Sequence, residues 1–281
     1  MKLVDVSNLI PKNGTVALIS DIHEGVISRA DCIYDAIERC EKKKSKVFLG
    51  GDLIEGRWVH HPYYDKAAQE GKFKCVAEQA KSVAKMLRPI KKNIIATGVG
   101  NHEESQSLRE IIDVSGYIHE QLGIKRPHGY WSIKAKIGED RLFYTHGSGS
   151  VNSMAGDAKQ RYDNDVRKIR RKLRDLAGDC VVMAIAHIHK LRIGKPIEEL
   201  TIVEENGKQK EVYTTIDMYR KSGLPFPETL RWYCSTGSFF RGYMEDVTTY
   251  VERAGYAPTE LGYIEIQMHQ GKVVDVREVK L

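Results

Sequence analysis

Five apolar segments of this sequence each end in aspartate, asparagine or histidine, and these polar residues could do chemistry together. The clearest segment is Ile94-Ile95-Ala96, which leads into Gly98-Val99-Gly100-Asn101-His102-Glu103. Asn101 offers a neutral oxygen ligand, and the imidazole of His102 can donate or accept a proton. The other four segments lead into the following residues: Asp21 and His23, Asp52, His146, and His187 and His189.

These donor types favour divalent metal ions. Carboxylate, amide oxygen and imidazole suit Mn, Fe or Zn, and the lack of cysteine among them argues against a zinc site with thiolate ligands. Eight such side chains are too many for one ion and about enough for two. Two ions about 3.5–4 Å apart that share a carboxylate hydrolyse phosphate esters, because a hydroxide between them attacks phosphorus in line. We therefore expect two divalent ions, with Mn as first choice and Fe, Zn or Ni as alternatives.

The elements that must position these residues alternate between strand and helix in the first half of the chain. A predicted strand at 16–20 precedes a helix with an apolar face over 33–40, and a strand at 46–50 follows. This order implies parallel strands joined by a right-handed crossover. Open α/β folds bind ligands at the carboxyl ends of such strands, which is where the polar residues lie.

The rest of the chain is predicted to be helical at first and then mostly β. Apolar residues over 108–122 indicate one helix, and a hairpin follows over 131–145. A long basic helix is expected at 157–177, with an apolar stripe that ends at Leu176. Asn206-Gly207 between two β-like segments is typical of a second hairpin. Antiparallel strands are expected to close the chain.

The domain organisation follows from what the 281 residues lack. The sequence contains no internal repeat, low-complexity tract or linker, and both halves supply candidate ligands. The simplest interpretation is one domain over 1–281 with two packed sheets. Within it, 190–230 is expected to be a β-hairpin and loop elaboration.

Composition gives expectations about compartment and partners. The five cysteines are odd in number, scattered and without a C-x-x-C pair, which is typical of reduced thiols in the cytoplasm. No apolar run is long enough to span a bilayer, and the first residues do not read as a secretory signal. We therefore expect a cytoplasmic protein without a membrane partner. The net charge of +6 is compatible with an anionic substrate.

The ordered set of motifs resembles the calcineurin-like metallophosphoesterase superfamily. Asp-x-His, Gly-Asp, Gly-Asn-His-Glu, His and His-x-His occur in that order between residues 21 and 189. The resemblance implies an α/β fold, a four-layer α/β/β/α sandwich of two mixed sheets flanked by helices.

The same resemblance divides the ligands between two sites and assigns a catalytic residue. His102 would face the substrate, where it stabilises the phosphoryl oxygens or protonates the leaving group. Asp52 would bridge the two metals. The implied ligands are Asp21, His23 and His189 for the first metal and Asn101, His146 and His187 for the second.

Two departures from the family pattern bear on the substrate. Ala186 replaces the glycine that often precedes His-x-His. Relatives that act on phosphoproteins usually read Gly-Asp-x-x-Asp-Arg, whose arginine grips phosphate, whereas here Gly56 occupies the arginine position. This weakens the interpretation as a phosphoprotein phosphatase, although Arg57 could still reach the pocket. His60 and His61, just beyond, are candidates for the rim of the substrate pocket.

These observations predict a dinuclear-metal-dependent phosphoesterase that hydrolyses a phosphodiester, either nucleic acid or a nucleotide-like diester. The alternatives are a phosphomonoesterase or an atypical phosphoprotein phosphatase. A catalytically silent binding module, a protein of another class, would be expected to lack ligands or His102, and here all are present. The oligomeric state does not follow from the sequence.

The basic helix gives a second, weaker indication of nucleic acid. Helical spacing places Arg167, Arg170, Arg171 and Arg174 in neighbouring rows, where they could follow a phosphate backbone. The alternative is a solvated face, or one paired with acidic residues of the same helix.

Overall fold

The computed structural model describes residues 2–57, 66, 69, 72–73 and 75–281. The helices among them are α1 (Cys32–Lys43), α2 (Val76–Leu87), α3 (Asn101–Glu110), α4 (Val114–Leu122), α5 (Ala158–Leu173), α6 (Ile216–Ser222) and α7 (Tyr250–Arg253). The strands are β1 (Lys2–Asp5), β2 (Gly14–Ile19), β3 (Lys46–Leu49), β4 (Ile94–Gly98), β5 (His128–Tyr130), β6 (Ser132–Ile137), β7 (Asp140–Thr145), β8 (Val182–Ile185), β9 (Leu191–Gly194), β10 (Glu199–Glu205), β11 (Lys208–Thr214), β12 (Trp232–Thr236), β13 (Gly262–His269) and β14 (Lys272–Lys280).

Two six-stranded mixed sheets form the body of the protein. One has the order β14-β13-β2-β3-β4-β5, and β2 to β5 run parallel within it. The other has the order β1-β6-β7-β8-β12-β9, with β7, β8 and β12 parallel. The predicted hairpin at Asn206-Gly207 is confirmed as β10–β11, which forms a separate two-stranded sheet.

Alternate residues of β2 show how the first of these sheets is packed. Val16 and Leu18 belong to the core between the two sheets, whereas Ala17 and Ile19 pack in a core with α1, α2 and α4. Successive side chains of a strand point to opposite faces. A strand buried on both faces is apolar throughout, which is why β2 and β3 read as continuous apolar runs.

The other sheet is covered in the same way by α5. Val182 and Ala184 of β8 belong to the core between the sheets, while Met183 and Ile185 pack with Ile169 of α5. The layers are therefore helix, sheet, sheet and helix, and the predicted α/β/β/α sandwich is confirmed.

The single helix predicted over 108–122 is wrong. The chain breaks between α3 and α4, where Ile111 has a φ of 57° and Asp113 caps α4 by accepting the backbone N–H of Gly116. The apolar residues assigned to this helix do not form one buried face, since Leu108 is 80% exposed and Ile111 is 92% exposed.

The basic helix is shorter than the predicted 157–177. Asp157 caps it by accepting the N–H of Gln160 at 2.8 Å, and the helix ends at Leu173. Leu176, expected on the apolar stripe, lies beyond the helix and is 51% exposed. Among the described helices, none has both the length and the apolar content needed to cross a bilayer.

Candidate metal centre

The parallel strands of both sheets deliver all eight predicted site residues to one edge of the sandwich. The residues follow β2, β3 and β4 in one sheet and β7 and β8 in the other. They form one centre, and six of them line the same cavity: His23, Asp52, Asn101, His102, His187 and His189. Asp21 and His146 lie behind them, almost fully buried. His60 and His61 fall outside the described residues.

A first cluster contains Asp21, His23 and His189, with one potential ligand atom of each within 4.8 Å of the others. His23 Nε2 lies 3.4 Å from His189 Nε2, and His189 Nε2 lies 3.3 Å from Asp21 Oδ1. Asp21 Oδ1 is buried and has no hydrogen-bond partner among the described residues. Imidazole nitrogens and a buried carboxylate oxygen that converge in this way fit a divalent cation.

A second cluster contains Asp52, His146 and His187 in a similar arrangement. His146 Nε2 lies 3.2 Å from Asp52 Oδ2, 3.2 Å from His187 Nδ1 and 3.1 Å from Asn101 Oδ1. The other ring nitrogen of His146 lies 2.9 Å from the carbonyl oxygen of Gly50, to which it can donate. In the neutral ring that hydrogen bond leaves the lone pair on Nε2, so this cluster also fits a cation.

The backbone of the centre is strained. Nine non-glycine residues among those described have a positive φ, and five of them are predicted metal ligands. A left-handed backbone is unfavourable for residues other than glycine and persists only where the surrounding structure enforces it. The five ligands are Asp21, His23, Asp52, His187 and His189, with φ between 49° and 69°.

Glu103 holds two of the ligand loops together. Its carboxylate accepts the backbone N–H of Asp52 at 2.8 Å, of Leu53 at 2.7 Å and of Gly100 at 2.8 Å. The close approach of these loops requires glycine at position 100, because a Cβ there would overlap the Asp52 carboxylate. The Gly-Asn-His-Glu motif thus includes residues that position the ligands.

Glu55 contacts two of the predicted site residues and was not identified from the sequence. Its carboxylate is buried, lies 3.0 Å from His23 Nδ1 and pairs with Arg57 Nε at 2.7 Å. Its backbone oxygen accepts a hydrogen bond from His102 Nδ1. The sequence feature that could have identified Glu55 is its position three residues after Asp52, where the family motif has aspartate.

Buried charges shift the pKa values of this centre in opposite directions. Burial lowers the pKa of His146, but the Asp52 carboxylate outweighs burial and raises it to about 10. Burial and the nearby His146 lower the pKa of His187 to about 4. Burial raises the pKa of Asp52, yet His146 and His102 bring it well below its usual value. An ionised carboxylate at this depth favours bound cations.

The cavity in front of the centre has a volume of about 1050 Å³. One wall comes from the loop after His146, at 149–152, and another comes from a segment between β12 and β13 that includes Phe240 and Tyr250. Arg57 also lines the cavity, as the sequence analysis allowed.

Comparisons with known proteins relate this chain to one family. The family model described as calcineurin-like phosphoesterase matches residues 14–210, a range that contains all eight predicted site residues. No curated protein matches the chain.

Three solved structures illustrate its similarity to known folds. A predicted phosphoesterase from Streptococcus pneumoniae is 10% identical with a TM-score of 0.33, and the alignment covers 96% of this chain and 98% of that one. Vps29 of Chaetomium thermophilum is 10% identical with a TM-score of 0.37 and coverages of 96% and 97%. A hypothetical protein from Thermus thermophilus is 12% identical with a TM-score of 0.41 and coverages of 94% and 98%.

Proposed function

The chain belongs to the calcineurin-like phosphoesterase family, and from this premise we propose that it hydrolyses a phosphodiester of a nucleic acid or a nucleotide-like compound. The observation that carries the proposal is that two of the three donor clusters found at this edge among the described residues consist of predicted ligands, with a predicted acid–base histidine beside them. The proposed enzyme uses two divalent metal ions, with Mn as the physiological ion.

We assign the ligands to the two ions according to the two clusters. Asp52 belongs to the second cluster and is proposed to bridge, since its carboxylate also lies close enough to Asp21 of the first cluster for their charges to interact. When bound, the two ions would supply positive charge for the phosphoryl oxygens and a water acidic enough to act as nucleophile. The remaining ligands are Asp21, His23 and His189 for one ion and Asn101, His146 and His187 for the other.

His102 is the proposed proton donor to the leaving oxygen. Its Nδ1 donates to the backbone oxygen of Glu55, and its backbone N–H donates to Asp52 Oδ1 at 3.0 Å. The side chain is thereby fixed, and Nε2 is the ring nitrogen left for the substrate. Nε2 lies 3.9 Å from Asp52 Oδ2, beside the proposed bridging ligand.

The charges near the centre favour a diester over a monoester. A monoester at neutral pH carries up to two negative charges on its phosphate, whereas a diester carries one. Gly56 supplies no cation at the position where phosphoprotein phosphatases have arginine. The guanidinium of Arg57 is already paired with the Glu55 carboxylate at 2.7 Å, so its charge is largely balanced.

Two further expectations from the sequence are kept as proposals. We place the protein in the cytoplasm, supported by five cysteines that are all free. We also treat residues 1–281 as one domain, supported by a metal centre whose residues come from both sheets.

The test compares matched model esters. Protein stripped of metal and then supplied with Mn should hydrolyse bis(p-nitrophenyl) phosphate with a higher kcat/KM than p-nitrophenyl phosphate. A preference for the monoester would support the phosphomonoesterase alternative. Lack of hydrolysis of either ester at any divalent ion would contradict the proposed function and favour the binding module.

A further inference from the structure

The cavity offers more room than a phosphate group requires. Its volume of about 1050 Å³ is slightly above the range found for sites that enclose drug-sized ligands. The metal centre occupies one side. The remaining space would accommodate the organic part of the substrate, so the wall formed by the segment between β12 and β13 is where specificity would be determined.

That wall lies outside the part of the chain that the family model matches. The match ends at residue 210, whereas the wall is built by residues 240–259. The segment is attached to the centre at its beginning, because the ring of Phe240 lies 5.4 Å from the ring of His23 and 5.9 Å from that of His189. This chain therefore adds its own surface to the shared metal centre.

The aromatic rings of this wall differ in how much of their surface is open to a ligand. Tyr250 stacks on Phe240 with ring centroids 5.4 Å apart, and the Arg57 guanidinium lies 5.0 Å from the Tyr250 ring. Two neighbours thus already contact that ring. Tyr256, farther along the wall, is 56% exposed and lines the cavity.

The backbone holds Tyr256 in place on this wall. Its N–H donates to the carbonyl oxygen of Val251 at 3.0 Å, and its carbonyl oxygen accepts from the Tyr243 hydroxyl at 2.6 Å. Arg253, Ala257 and Pro258 line the cavity beside it. An exposed ring on a fixed backbone, in a cavity that Arg253 also lines, has the features of a stacking surface for a nucleic-acid base.

We propose that Tyr256 and the adjoining wall bind the nucleoside part of the diester, with the base stacked on the Tyr256 ring. This inference rests on the proposed function and names the substrate class: a diester with a nucleoside on at least one side. The stacking is tolerant of base identity, because every base has an aromatic face.

The test uses two substrates that share a leaving group. Thymidine 5′-(p-nitrophenyl phosphate) and methyl p-nitrophenyl phosphate both release p-nitrophenolate, and only the first carries a nucleoside. The wild-type protein loaded with Mn should show a KM for the thymidine ester at least tenfold lower. Tyr256→Ala should raise that KM on the order of tenfold, which is the size of one base–aromatic stack, while the KM for the methyl ester stays unchanged.

Two variants separate stacking from general damage. Tyr256→Phe keeps the ring and should keep the low KM. Tyr213→Ala removes a tyrosine of similar exposure, 57%, from the β10–β11 hairpin, which does not line the described cavity. This variant should leave the KM of both substrates unchanged. Equal wild-type KM values, or an unaltered thymidine KM in Tyr256→Ala, would overturn the inference and leave the proposed function standing. Failure to hydrolyse either ester would instead contradict the proposed function.

Discussion

Glu55 contacts two histidines of the candidate metal centre, one through its side chain and one through its backbone. Its carboxylate lies beside His23 Nδ1, and its backbone oxygen accepts from His102 Nδ1. In both rings this orientation leaves Nε2 for the reaction side. A carboxylate that bonds a metal-binding histidine fixes the ring and strengthens it as a ligand. We therefore propose that Glu55 is a positioning residue.

Replacing Glu55 should weaken metal binding without removing a metal ligand. We expect Glu55→Gln to lower Mn affinity at one of the two sites by about 10–100-fold, and high Mn to restore activity. Equilibrium dialysis against Mn measures the effect. Glu265→Gln is the matched control, because Glu265 is also buried and paired, with Lys43 at 2.8 Å, but lies on β13. Unchanged Mn affinity in Glu55→Gln would contradict this role.

His102 is predicted to act on the leaving group. His102→Asn should retain both metals and lose on the order of 10²–10⁴ in kcat, the usual contribution of general acid catalysis. The loss should be smaller for a p-nitrophenyl ester than for an alkyl ester, since nitrophenolate needs less protonation. His119→Asn, a buried histidine bonded to Thr97 at 2.8 Å, is the control. An equal loss with both leaving groups would assign His102 to stabilisation of the phosphoryl oxygens.

Helix α5 uses several of its basic side chains to hold the loop that follows His146. Lys172 Nζ donates to the carbonyl oxygen of Ser148 at 3.0 Å, and Lys168 Nζ donates to that of Asn152. Arg161 donates to the carbonyl oxygen of Ala155 at 2.9 Å. Because 149–152 line the cavity, these contacts connect the helix to the cavity wall.

This arrangement changes the prediction made for the basic helix. Of the four arginines proposed to follow a phosphate backbone, Arg170 packs 5.4 Å from the Tyr233 ring and Arg174 pairs with Glu228 at 3.5 Å. Arg167 and Arg171 stay candidates for nucleic-acid contact, since both are exposed.

Paired substitutions on α5 should separate the two roles. Lys168→Met with Lys172→Met should raise the KM for a small diester several-fold, because surface contacts to the loop are individually worth only about 1 kcal/mol or less. Arg167→Gln with Arg171→Gln should leave that KM unchanged, weaken oligonucleotide binding and flatten its dependence on salt. Wild-type protein that shows no salt-dependent binding to DNA or RNA would contradict the nucleic-acid role of this helix.

The sequence predicted elements best where their residues are buried on every side. Strands β2, β3 and β8 read clearly because both faces are apolar. The break between α3 and α4 was missed because Leu108 and Ile111 are exposed, so their apolar periodicity carried no information about packing there. Strand β1 was also missed, since its pairing with β6 is a long-range contact that four residues do not reveal.

The candidate site followed from motif order, but its supporting residues did not. Each predicted ligand stands just after a strand, and the topology alone brings those ends together. Glu55 and Tyr256 depend on contacts between segments that are distant in the chain or lack periodic pattern. Such contacts are set by tertiary packing, which the spacing of residue types does not encode.

Most thiols of the protein are buried, and their burial predicts low reactivity. Burial raises the pKa of Cys40 and of Cys180 to about 12, and it also raises those of Cys234 and Cys32. Since the thiolate is the reactive form, these cysteines should resist iodoacetamide at pH 8 in the folded protein. Cys75 is exposed and should be alkylated first.

Mass spectrometry of the alkylated protein checks this prediction. One rapid adduct at Cys75 is expected in the native state, and five adducts are expected in urea. Rapid modification of Cys40 or Cys234 in the folded protein would contradict the described packing of α1 and β12.

The most direct test of the account measures bound metal and diester hydrolysis on the same sample. Chelated protein should be inactive, and titration with Mn should restore activity as the bound metal approaches two ions per chain. Asp52→Asn should be the most damaging ligand substitution because Asp52 is assigned to both ions, whereas Asp5→Asn at the surface should match wild type. Full activity of the metal-free protein, or full activity of Asp52→Asn with two bound ions, would contradict the account.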